Sequence, residues 1–128
     1  MPSTRLETAE GWIAGRHAAI GTAIQAALIA AIKIPADDRD FRILEYPADA
    51  FLPPPGRGPN YSVLEITLFS GRSLEAKRNL YAALVDAMAP FDLAPTDLKI
   101  ILVEVARENW GLGGKPGSEI ELGFKVEV

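Results

Sequence analysis

A duplicated strand–helix–strand pattern constrains this chain more than any other feature. Residues 62–69 alternate and are rich in β-formers, Gly71-Arg72-Ser73 breaks the run, and a helical pattern follows. Ser73 suits the N-cap of that helix, and Glu75 suits its first turn, where the helix dipole favours negative charge. Leu80, Leu84 and Met88 share one helical face, with Tyr81 and Val85 beside them. Pro90 and Pro95 end the helix region. Residues 99–105 then form a second strand, almost wholly apolar, as expected of a strand covered on both faces. Residues 2–8, 16–34 and 41–46 repeat the plan in the first half, and Glu45 and Glu104 stand near the ends of the two second strands. Each copy is expected to be a right-handed βαβ unit with parallel strands.

At 128 residues the natural reading is one domain. Residues 1–51 are the first unit, 52–60 a linker, 61–114 the second unit and 115–128 a C-terminal strand. Pro53-Pro54-Pro55 makes the linker extended. In the tail, Ile120, Leu122, Phe124 and Val126 alternate over residues 119–128, as in a strand able to pair with a neighbouring subunit. A hydrophobic fraction of 48% supplies a core, and a net charge of −4 gives no general attraction to nucleic acid or an anionic membrane. The chain has no cysteine and one histidine, His17, so thiol chemistry is excluded and a protein zinc site is disfavoured. The uncharged helix over 18–32 falls short of the ~20 residues a bilayer span needs. Its weakly polar side suits either a subunit contact or solvent. No signal-peptide pattern is present at the start, and a cytoplasmic location is the default expectation.

Met1-Pro2 has two readings. Pro2 is either merely the second residue or, once Met1 is removed, a secondary amine able to move protons. An α-amine has a pKa near ~8, and burial or a nearby cation lowers it towards neutrality. Trp12, after the first strand, either lines a pocket or covers a helix end. Asp37-Asp38-Arg39-Asp40 is either a solvated charge cluster or a turn that presents a carboxylate to a pocket. The glycine-rich stretch at 107–114 lacks the spacing and the following helix of a phosphate loop.

Taken together, Met1-Pro2, the duplicated plan, Leu68-Phe69-Ser70-Gly71-Arg72-Ser73 and Glu104-Val105-Ala106-Arg107-Glu108-Asn109-Trp110-Gly111 resemble the tautomerase superfamily. The second half is similar to 4-oxalocrotonate tautomerase. The two-unit length, with Pro35 leading into Asp38-Arg39, is similar to malonate semialdehyde decarboxylase. The resemblance implies an α+β fold: a four-stranded sheet with two helices on one face, assembled as a homotrimer around a central barrel of sheets. It also implies that Pro2 is the catalytic group and that Arg72 binds a substrate carboxylate. Asp38 matches the decarboxylase aspartate, with Arg39 following it, and Trp110 matches the aromatic pocket wall. Two positions depart from the family pattern. The first-unit counterpart of Arg72 is Trp12, and the first of the decarboxylase's paired arginines is Ser70. A further family arginine falls on Lys99, which keeps the charge without the guanidinium fork.

What the resemblance implies chemically is a cofactor-free enzyme with no metal, acting on a small carboxylate. A neutral Pro2 would shuttle a proton on a 2-oxo acid or its enol. A protonated Pro2 would serve decarboxylation or hydration, with Asp38 orienting water. A non-catalytic trimeric ligand-binding protein is the third reading. Arg16, Arg39, Arg42, Arg57 and Arg107 are the other arginines able to complete a site.

Overall fold

A computed structural model describes residues 2–128. Its elements are β1 (Ser3–Ala9), α1 (His17–Ile32), β2 (Phe41–Tyr46), β3 (Ser62–Phe69), α2 (Leu74–Met88) and β4 (Leu98–Val105). A short hairpin, β5 (Gly111–Leu112) with β6 (Lys115–Pro116), follows. The four long strands form one sheet in the order β2-β1-β3-β4. β1 pairs parallel with β2 and β3 parallel with β4, as two βαβ units require, and β1 joins β3 antiparallel.

The alternation along β1 and β3 is resolved into two faces. Leu6, Leu64, Ile66 and Leu68 are buried against Ile20, Ile24 and Leu28 of α1 and Leu80, Leu84 and Met88 of α2. The predicted cap is present, with the Ser73 hydroxyl accepting from the Ala76 N–H at 3.1 Å. The repeat extends to its ion pairs. His17 at the start of α1 meets Glu45 of β2, and Lys77 in the first turn of α2 meets Glu104 of β4. Among the described residues no helix is long and apolar enough to cross a membrane.

Two expectations need correction. Both helices take the same face of the sheet, so β4 is covered on one side only in the single chain. Ile101 is 39% exposed and Leu44 of β2 is 41% exposed on the opposite face. Along that face Arg5 bridges Glu7 and Glu65 at 2.8 and 2.9 Å. Second, residues 119–128 are not a strand. Gly123 takes φ 72°, in the left-handed region, which interrupts extended backbone. The alternation still has a physical cause: Val126 is fully buried, and Phe124 and Val128 pack on the core, so the tail lies as an irregular strap. Its end is held by the Ser73 N–H, which donates to the Val128 carbonyl at 2.9 Å.

Candidate active site

Antiparallel pairing of β1 with β3 decides which residues can meet. Ser3 stands opposite Thr67, so Pro2 continues the strand beside the last residues of β3. On its other side the Thr4 N–H donates to the Asp40 carbonyl at 2.9 Å, which brings the turn before β2 to the same end. Pro2 is buried there, whereas Met1 lies outside the described residues. The loops after β3 and β4, which carry Ser70, Arg72, Arg107 and Trp110, also open at this end.

Arg72 is the unusual group. It is 6% exposed. Its Nη1 donates to the Phe69 carbonyl at 3.1 Å, while Nε and Nη2 are buried without a hydrogen-bond partner. Burial pulls its pKa below the usual arginine value, and the neighbouring Arg107 adds to that; Asp38, Glu127 and Glu104 act in the opposite sense. A guanidinium that stays charged in such a place has two unfilled N–H directions for an anion. Gly71 permits the close cover: it has φ 135°, and a Cβ there would come 3.2 Å from Val126 Cγ1 of the tail.

Asp38 is half-buried in the turn after α1, with its carbonyl accepting from Gln25 Nε2 at 3.0 Å. It lines a pocket of about 260 Å³ with Pro35, Asp37, Leu122 and Phe124. Trp110 is half-buried, stacks edge-on to the buried Phe69 with ring centroids 5.0 Å apart, and donates from Nε1 to the Val105 carbonyl at 3.2 Å. Arg107 lies over the other side of this cluster, its Cζ 5.8 Å from the Phe69 ring centre. Ser70 is exposed at the end of β3, its N–H donating to the Val105 carbonyl at 3.3 Å. On the far side of Asp38, Arg39 lays its guanidinium over Gly21 of α1.

Trp12 is not brought to this end. It follows the C-terminal end of β1, a seven-residue strand that separates it from Pro2 by about 20 Å at ~3.3 Å per residue. There its Nε1 donates to Thr8 Oγ1 at 2.8 Å, and that hydroxyl donates to the Tyr61 carbonyl at 2.9 Å. Antiparallel strands carry corresponding loops of the two units to opposite ends, so the repeat itself separates Trp12 from Arg72. Arg16 stays with it, bonded to the Trp12 and Ile13 carbonyls, and Arg42 pairs with Asp40. Lys99 and Arg57 also lie at the Trp12 end, on a second pocket with Tyr61. Sequence reasoning missed Phe69, Leu122 and Phe124 as neighbours of the cluster; the alternation of the tail was the available signal.

A duplicated βαβ sheet with a buried, half-partnered guanidinium at the sheet end where Pro2 is buried defines a small α+β protein with one polar pocket end, and its likeness to known proteins is specific. The FG41 malonate semialdehyde decarboxylase, in a structure inhibited by 3-bromopropiolate, superposes with a TM-score of 0.76 at 26% identity, covering 87% of this chain and 88% of that one. A native fused 4-OT gives a TM-score of 0.81 at 22% identity, covering 91% and 96%, a likeness of fold. A probable tautomerase of Ralstonia nicotianae, RSp0893, is 35% identical over 57 residues, 44% of this chain and 81% of the relative. The family model described as tautomerase enzyme matches residues 38–113, which include Asp38, Arg39, Ser70, Arg72 and Trp110. The chain belongs to the tautomerase family.

Proposed function

We propose that this protein is a keto–enol tautomerase that uses Pro2 as its proton-transfer group on small 2-oxo acids or their enols. The observation that carries the reading is Arg72: 6% exposed, with Nε and Nη2 unpartnered, at the sheet end where Pro2 is buried. Two parallel N–H donors suit a carboxylate, and burial makes that charge-assisted pair stronger than it would be in water. With Met1 removed, Pro2 offers a secondary amine. An α-amine has a pKa near ~8, and burial or a nearby cation lowers it towards neutrality. The neutral amine takes a proton from the enol oxygen or from the carbon next to the carbonyl and returns it to the other position. The enolate that forms between these steps is stabilised by the Arg72 cation. Trp110, backed by the fully buried Phe69, gives the substrate an apolar wall, and Ser70 flanks the site as a polar contact, whereas Arg39 is turned towards Gly21 of α1. Turnover of phenylenolpyruvate by the Met-free protein, with loss of turnover in a form that retains Met1, is the expected result. Equal activity of the two forms would end the reading.

A second reading is supported by Asp38, whose charge acts on Arg72, and by the likeness to a malonate semialdehyde decarboxylase. Here a protonated Pro2 is the general acid and Asp38 orients water, for decarboxylation or hydration of a three-carbon acid. Asp38→Asn would then abolish turnover with the fold intact, whereas a pure tautomerase would tolerate it.

The assembly belongs to the same proposal. The open sheet face, with Leu44 and Ile101 exposed around the Arg5, Glu7 and Glu65 ion pairs, is a surface suited to a homotrimer whose sheets enclose a central barrel. One of the fused 4-OT proteins with this fold is a trimer. Sedimentation at micromolar concentration is expected to give three chains per particle.

A further inference from the structure

Arg72 has a like-charged neighbour. Arg107 opens the short helical turn after β4, residues 107–109, beside the end of β3. Its stem is fixed. The Arg107 carbonyl accepts from the Trp110 N–H at 3.2 Å, and Gly117 packs so closely on it that a Cβ there would come within 2.8 Å. Its head is loosely held. The side chain is 36% exposed, lies over the Phe69 ring, and has no hydrogen bond from its guanidinium among the described residues. Its charge acts on the buried Arg72 and disfavours that cation.

Two guanidinium groups side by side repel each other unless an anion stands near both. The carboxylates of Asp38, Glu127 and Glu104 all act on Arg72. Glu104 is engaged by Lys77, and Asp38 stands in the turn before β2. Glu127 is the one that reaches Arg107, with Oε1 3.7 Å from Nη2, beyond hydrogen-bond distance. The same oxygen would lie 3.6 Å from a Cβ on Gly71, so this carboxylate hangs over the loop that carries Arg72. The strap fixes it there, because Val126 on one side is fully buried and the Val128 carbonyl on the other accepts from Ser73. A largely exposed pair of this length is worth little, so another carboxylate displaces Glu127 at small cost. An anion arriving from solvent meets Arg107 before Arg72, since Arg107 is the exposed one of the two.

We infer that Arg107 is a second carboxylate-binding residue at the Pro2 end, and that Glu127 of the strap is the resident counter-ion that a substrate carboxylate displaces from it. This role rests on the reading of Arg72 as the carboxylate site and is independent of the proton chemistry of Pro2. It makes the strap a determinant of affinity, because the charge at position 127 competes with that of the substrate.

The test is isothermal calorimetry of 3-phenylpropionate, a saturated monocarboxylate with no enol to interconvert, on the intact, assembled protein. The wild type, Arg107→Gln, Glu127→Gln and the double variant are compared, with the uncharged 3-phenylpropionamide as control. Both substituted side chains reach solvent, so the fold is expected to survive, as circular dichroism would verify. Arg107→Gln is expected to weaken binding of the acid by about 10-fold or more, the scale of one charge-assisted hydrogen bond, and to leave binding of the amide unchanged. Glu127→Gln is expected to tighten binding of the acid roughly 2–5-fold when Arg107 is present and not at all in the double variant. Equal affinity of the wild type and Arg107→Gln for the acid would overturn the proposal. So would equal weakening of acid and amide, which would assign Arg107 to packing on Phe69, or a gain from Glu127→Gln that persists without Arg107. No binding of the acid to either the wild type or Glu127→Gln would overturn it together with the Arg72 site. The expected pattern of binding without turnover of phenylenolpyruvate would support it and end the tautomerase reading alone.

Discussion

The Arg72 guanidinium donates from Nη1 to the carbonyl of Phe69, three residues back, at 3.1 Å, and this single bond anchors a buried cation. The other nitrogens that could hold it, Nε and Nη2, have no partner. A group held in this way costs stability and is kept for what it binds. Arg72→Met should therefore leave the melting temperature unchanged or raise it, while kcat/KM for a 2-oxo acid falls about 10²–10³-fold, the usual cost of losing one preorganised donor. Arg72→Lys should recover little, because an ammonium lacks the fork. Thermal melts and steady-state kinetics on the same preparations check both halves.

Trp12 gives the opposite expectation. Its indole bonds Thr8, and Thr8 bonds Tyr61, so it ties the end of β1 to the start of β3. Trp12→Phe should cost ~1 kcal/mol, the net worth of one hydrogen bond. Urea denaturation should detect that loss, with the denaturant slope unchanged.

Ser73 ties local structure to the site. Its hydroxyl caps α2, and its N–H holds the Val128 carbonyl of the tail that covers Gly71. Ser73→Ala removes the cap alone and should destabilise by ~1 kcal/mol. Ser73→Pro would also remove the N–H and should loosen the strap, seen as faster amide exchange at Val126.

Acid sensitivity follows from Glu104. The hydrogen bond from the Lys77 ammonium, with its charge, the Gly71 N–H and the Arg72 charge, holds its carboxyl below the usual glutamate value against the opposing effect of burial. A depressed carboxyl stabilises the fold above the unfolded value of ~4.3 and loses that contribution as pH falls through the folded value. The stability gap between wild type and Glu104→Gln should thus be full near pH ~6 and shrink below ~4. The pair is partly exposed, so the gap is small and should narrow further in salt.

Much of this was legible in the chain itself. The period-two run gave β3 with its observed bounds, because it has one face on the core and one away from it, and the repeat gave those of β2. The four-residue spacing of Leu80, Leu84 and Met88 gave the buried face of α2. Arg72 was marked by the resemblance to the family, at its place after β3. Its burial was not, because the cover comes from a tail more than fifty residues later, and Val126 meets Gly71 only in three dimensions. The tail was misread for a related reason: alternation reports burial, and an irregular strap buries every second residue as a strand does. Gly123 was the visible sign of the difference. The split of Trp12 from Arg72 follows from the antiparallel β1–β3 junction, which periodicity within each unit does not encode.

The most direct measurement is ketonisation of phenylenolpyruvate, followed by absorbance, for the wild type and Pro2→Ala, after mass spectrometry has established that Met1 is absent from both. The account predicts turnover by the wild type and a fall of at least about 10²-fold in the variant, the scale of a lost general base. Equal rates for the two proteins would contradict it.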